Sequence, residues 1–175
     1  MGMYTSLRGA VKVKQEYIKL VQSIVDNGWT NDTAQYPFVN EYLRTERSDF
    51  IPCGNELQYP FQKEQEFFNK KYENGIFYFS ADLKNYTDEV TNTQPIDSFI
   101  KNIIENICKE ILLLETVYEG HSTVYQYGFS NEVINEIKVL NYTNKEIESF
   151  LYLDIDDEKD IFKEYKSNNN LMVFE

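Results

Sequence analysis

Residues 76–83, Ile76-Phe77-Tyr78-Phe79-Ser80-Ala81-Asp82-Leu83, carry the reading that decides the fold class. Aromatic and branched side chains fit a pleated, half-buried backbone. Phe77, Phe79 and Ala81 fall on one face, and Ile76, Tyr78 and Ser80 on the other. Both faces are largely apolar, so an interior strand covered on both sides is expected. The Asn74-Gly75 pair just before it is a turn signal.

The segments on either side alternate between strand and helix periods. Towards the C-terminus, Pro95 to Leu114 carries Ile96, Phe99, Ile100, Ile103, Ile104, Ile107, Ile111 and Leu114, a wide stripe that predicts one long helix. Glu115 to Tyr118 and Thr123 to Phe129 flank Glu119-Gly120-His121-Ser122 and predict a hairpin. Val133 to Leu140 suits a third consecutive strand or a helix. Thr143 to Glu146 has capping-box spacing before Ile147. Towards the N-terminus, Phe61 to Tyr72 lacks Gly and Pro and predicts a helix, while Ser48 to Pro60 should be irregular. Pro37 suits the first turn of a short helix. Tyr17, Leu20, Val21, Ile24 and Val25 form one helical face, closed by Asn27-Gly28 with Gly28 as a left-handed cap. Ser6 to Lys14 alternates as a strand, with Gly9 marking a bulge or a close backbone approach.

These elements predict a single α+β domain over 1–175: a mostly antiparallel sheet of about four to five strands with helices packed on one face. Residues 1–2 look like a cloning remnant before Met3, and 167–175 like a tail. No Pro/Gly/Ser-rich linker divides the chain.

Charge narrows the function. The chain holds 29 Asp and Glu against 17 Lys and Arg, a net of −12. Residues 1–100 hold 14 acids and 10 bases, and 101–175 hold 15 acids and 7 bases, so the C-terminal part is the more negative. Such a chain repels phosphate, which disfavours nucleic-acid binding and docking on anionic lipid. No apolar run is long enough for a membrane span. Met1 to Tyr17 lacks a signal-peptide core, so a cytoplasmic location is expected. Cys53 and Cys108 lie far apart, form no CxxC, and are expected as reduced thiols.

No motif with catalytic chemistry stands out. His121 is the sole histidine, which excludes His-pair metal sites; a Cys53–His121 dyad would need the two within hydrogen-bond reach. No glycine-rich phosphate cradle is present, so no cofactor, metal or catalytic residue is assigned. Asp49 and Asp82 would act as paired acids only if the fold brought them together. Asp154, Asp156, Asp157, Glu158 and Asp160 form the densest carboxylate cluster, but EF-hand spacing fails. They are read as a patch for a basic protein partner.

Tyr4, then Leu7-Arg8-Gly9-Ala10-Val11-Lys12-Val13-Lys14, then Asp49-Phe50-Ile51-Pro52-Cys53-Gly54, then Asp82-Leu83-Lys84-Asn85-Tyr86 resemble a pattern in small proteins of low-GC bacteria and their phages. The resemblance covers about the first half of the chain. It brings no activity with it and implies an accessory gene product rather than a metabolic enzyme. The leading expectation is therefore a non-catalytic acidic protein-binding module, of inhibitor or immunity type, acting by stoichiometric contact. One alternative is a small-molecule binder or enzyme with a pocket around Arg8, Trp29, Arg44, Arg47 and His121. The other is a DNA mimic with carboxylates spaced like phosphates.

Overall fold

The computed structural model describes residues 4–52, 70–118 and 123–141. Six strands form one antiparallel sheet: β1 (Tyr4–Val13), β2 (Lys71–Glu73), β3 (Ile76–Lys84), β4 (Cys108–Tyr118), β5 (Thr123–Ser130) and β6 (Val133–Asn141). Their order is β2-β3-β1-β4-β5-β6. The class is α+β, as the sequence predicts, with the described helices on one face, and among the described residues the sheet holds six strands rather than four to five.

β1 is the central element. It pairs antiparallel with β3 on one side, Arg8 opposite Ser80, and with β4 on the other, Arg8 opposite Glu115. β3 and β4 therefore run parallel to each other with β1 between them, so the chain joining them must cross the sheet face. That crossing carries helix α3. It opens as α-helix over Pro95–Ser98, widens to a π-helix over Phe99–Ile104 and closes as α-helix over Glu105–Ile107. Helices α1 (Ile18–Asn27) and α2 (Pro37–Leu43) belong to the same layer.

The core lies between these helices and one face of the sheet. Leu7 and Val11 of β1, Phe77 and Phe79 of β3 and Leu114 of β4 meet Leu20, Val21, Ile24, Val39, Phe99, Ile103 and Ile104. Period two on the strands and period three to four on the helices put these side chains in one layer. Gly9 makes the tightest approach. A Cβ there would stand 2.0 Å from Phe79 Cζ, so the ring fills the space a side chain would need.

The other sheet face is also shielded. Ser6, Arg8 and Ala10 of β1 and Tyr78 and Ser80 of β3 are buried, as are Leu113 and Glu115 of β4. β3 is thus the interior strand, covered on both sides, that its sequence predicts.

Three local expectations are corrected. The helix expected over Pro95 to Leu114 ends at Ile107, and Cys108–Tyr118 is strand. Ile111 and Leu114 continue the helical spacing, but the run Ile111-Leu112-Leu113-Leu114 is equally that of a central strand buried on both faces. Pairing with β1 selects the strand. Lys71 and Tyr72, expected at the end of a helix, pair in β2 with Tyr78 and Phe77. The intervening Asn74 and Gly75 take φ of 53° and 80°, as a tight hairpin turn requires. Gly28 does end α1, its N–H donating to Ile24 O at 3.0 Å, but at φ 71° and ψ −155° it lies outside the left-handed helical region, in a positive-φ conformation that favours glycine. Most of the helix expected over 61–72, the expected helices beyond 142, residues 1–2 and the expected tail lie outside the described residues.

α3 also holds the start of β6. Glu105 Oε2 accepts from Ile134 N at 2.9 Å, and Lys101 Nζ donates to Ile134 O at 2.8 Å. Two helix side chains thus satisfy both backbone groups of one strand residue, whose side chain enters the core. Among the described residues no helix is long and apolar enough to cross a membrane.

Candidate functional site

A cleft of about 270 Å³ opens where α1 ends, lined by Ile24, Gly28, Trp29, Asp49, Ile51, Pro52 and Lys70. Gly28 turns the chain out of α1 at positive φ, which places Trp29 beside the end of the helix. The indole packs 5.0 Å from the Tyr42 ring, and its Nε1–H donates to Ile51 O at 2.5 Å. Tyr42 in turn donates its hydroxyl proton to Ser48 O, which anchors the short 3₁₀ turn Ser48–Phe50 and with it Asp49. The half-buried Trp29 and the buried Tyr42 therefore set the position of an exposed carboxylate. Ile51 and Pro52, joined by a cis peptide bond, form a buried apolar wall. Lys70 stands just before β2.

A second cluster locks two loops together. Asp88 Oδ1 accepts from Val90 N and Thr91 N, both at 2.7 Å, and Oδ2 accepts from Glu46 N at 2.8 Å. The N–H donors of Thr91, Glu46 and Val90 hold its carboxyl below the ordinary value of 3.8, against an opposing effect of burial. Beside it, Tyr86 donates to Glu46 Oε2 at 2.6 Å, which raises the phenol, and Arg47 lies 4.3 Å over the Tyr86 ring. Arg47 adopts φ 65°, a left-handed conformation that the surrounding hydrogen bonds impose. Every polar atom of this cluster named here serves the loops, which makes it architecture rather than an open site.

A third feature is a row of buried polar residues across the sheet. Ser80, Arg8, Glu115 and Gln126 are successive register partners on β3, β1, β4 and β5. All four are buried, and neither Arg8 nor Glu115 is without a partner.

The residues grouped as a pocket from the sequence lie apart. Arg8 is in the middle of the sheet, on the face opposite the helices. Trp29 lines the cleft. Arg44 is exposed and pairs with Glu41 at 2.9 Å. Arg47 stacks on Tyr86, and His121 lies outside the described residues. Asp154, Asp156, Asp157, Glu158 and Asp160 also lie outside them, as does Cys53 of the Cys53–His121 pair. Asp49 lines the cleft, whereas Asp82 sits in β3 opposite Ser6. Cys108 is buried in β4, and burial pushes its thiol up to about 12. Lys70, Ile51 and Pro52 carry no sequence signal of a site, whereas Trp29 and Asp49 stand out as residue types. Among the described residues no cluster of three or more His, Cys, Asp or Glu could hold a metal ion.

The chain is an α+β protein; among its described residues exposed carboxylates outnumber exposed bases, and a small cleft opens at the edge of the helical layer. No protein-family model, curated protein or solved structure matches it.

Proposed function

We propose that this chain is a protein-binding module that neutralises a basic partner by stoichiometric contact, as an inhibitor or immunity-type protein does. The observation that carries the reading is the surface charge. Among the described residues twelve carboxylates are exposed, against five exposed bases. Several of the basic side chains are already engaged by acids: Lys12 by Glu110, Lys71 by Glu73 and Lys101 by Glu105. The excess is thus left to act on an approaching molecule. An acidic surface attracts a basic one, speeds encounter and makes association salt-dependent. The carboxylates sit on α1, α2, α3, the connecting loops, β2, β4 and β6. That spread favours contact with a protein over the single row that imitation of DNA requires.

The test is capture from a lysate of the source cell at low and at high salt, followed by reconstitution with the purified partner. A basic protein bound in fixed stoichiometry, with an affinity that falls steeply as salt rises, supports the reading. A partner held equally well at high salt, or no fixed stoichiometry on reconstitution, overturns it.

A further inference from the structure

An acidic surface steers a basic partner towards the chain but does not locate the contact. Two loops narrow the place: residues 44–52, after α2, and 85–94, between β3 and α3. Among the described residues three large apolar side chains are exposed, and two of them stand on these loops, Phe50 at 43 % and Val90 at 80 %. Single exposed apolar side chains are ordinary on a surface. These two differ in that the backbone beneath them is held. Asp88 accepts the N–H groups of Val90 and Thr91 with one carboxylate oxygen, and that of Glu46, on the other loop, with the second. The Thr45 and Thr91 hydroxyls meet at 3.3 Å. Phe50 N donates to Arg47 O at 3.2 Å, and Arg47 lies over the Tyr86 ring. The loops are thus ordered before any partner arrives, and a pre-ordered surface loses little conformational entropy on binding.

Charge borders both apolar side chains. Asp49 and Glu89, their immediate neighbours in the chain, are exposed, and no ion pair among the described residues engages either one. The Tyr86 phenol is raised first by its hydrogen bond to Glu46, then by burial and by the charges of Glu46, Asp88 and Glu89, so three carboxylates converge on one ring. Arg44, an exposed base at the start of the first loop, is engaged by Glu41. Apolar anchors inside a polar rim are the anatomy of a contact surface between proteins.

We propose that these joined loops are the surface with which the chain grips its basic partner: Phe50 and Val90 enter apolar depressions on that protein, and Asp49 and Glu89 face the Lys and Arg side chains around them. This inference rests on the protein-contact reading and names the surface that reading requires.

The experiment takes the basic protein purified by the salt-dependent capture and measures its affinity for the full chain by calorimetry. Val90→Lys and Val133→Lys change the net charge equally, and Val133, 42 % exposed at the start of β6, lies on neither loop. Long-range attraction falls alike in both, so the difference between them reports local contact. Val90→Lys should bind about tenfold or more weaker than Val133→Lys, and Phe50→Ser about tenfold or more weaker than the parent. All three positions are exposed, so far-UV circular dichroism should match the parent. Val90→Lys within about twofold of Val133→Lys, or Phe50→Ser within about twofold of the parent, puts the contact elsewhere and overturns the proposal while the contact reading stands. Failure to find any basic partner of fixed stoichiometry overturns that reading, and this surface with it.

Discussion

Replacing Gly9 by alanine tests the packing at the centre of the molecule. A Cβ at residue 9 would lie 2.0, 2.3 and 2.8 Å from three carbons of the Phe79 ring. The ring would have to retreat by about 1 Å merely to reach the tightest tolerable contact. It has nowhere to go. Phe79 is fully buried, with the Phe77 ring 5.0 Å away and the Phe99 ring 5.2 Å away. Interiors packed at crystal density pass such a displacement on to their neighbours. One added methyl should therefore cost about 2–3 kcal/mol, the upper part of the range for overpacked cores. Phe79→Leu alone removes ring volume and should cost about 1–2 kcal/mol. Combined with it, Gly9→Ala should lose most of its own penalty, because the obstructing ring carbons are gone. Urea unfolding followed by circular dichroism and by Trp29 fluorescence gives all three free energies and the coupling between the sites. A Gly9→Ala protein within about 0.5 kcal/mol of the parent would refute the reasoning, since that is the scatter of neutral surface changes. Strict additivity in the double variant would refute it too.

Further predictions concern the buried charges, one loop and one thiol. Arg8→Met should destabilise by about 3–5 kcal/mol, because it removes the cation opposite the buried Glu115 carboxylate. Adding Glu115→Leu should recover much of that loss, and a near-neutral single variant in urea titrations would argue against the row as a coupled unit. Asp88→Asn should lower the melting temperature at neutral pH and flatten its fall in acid. The native carboxyl is depressed, so its contribution is whole above about pH 4, the unfolded value, and disappears as pH drops through the lower native one. Melting curves across that window check the sign, and parallel pH profiles for parent and variant would contradict it. Cys108 should stay unalkylated in the folded protein at pH 8 and react once urea exposes it. Its buried thiol is protonated and shielded there. Peptide mass spectrometry reads the modification, and rapid labelling under native conditions would show that β4 opens easily.

Local pattern carried much of the fold. Alternation in β1, the helical face of α1 with Tyr17 and Val25 at its margins, Pro37 at the head of α2 and the apolar stripe from Ile96 to Ile107 all formed as their periods predict. In the sequence Gly9 signals a bulge or a close approach, and in the fold it makes the approach to Phe79. Periodicity failed where one apolar run satisfies two periods. Ile107 ends a helix and Ile111-Leu112-Leu113-Leu114 continues as strand, without a Gly or Pro between them to announce the change. Lys71 and Tyr72 likewise belong to β2 only because β3 lies alongside to receive them.

The candidate site was less legible. Trp29 and Asp49 were visible as residue types, one an isolated aromatic and the other an acid beside apolar neighbours. Their meeting depends on Tyr42 holding the Ser48–Phe50 turn and on the chain returning at Lys70. Arg8 and Arg44 looked equivalent in the sequence, yet one is buried in the sheet and the other pairs with Glu41 in solvent.

By itself, the sequence determined the acidic charge, the α+β class and the elements whose burial repeats with a single clear period. Those properties depend on composition and on neighbours a few residues apart. Tertiary structure decided that β1 lies between β3 and β4, that residues 108–118 are strand, and that Trp29, Asp49 and Lys70 share a cleft. Each of these rests on contacts between residues distant in the chain, where register and packing, not local preference, select the conformation.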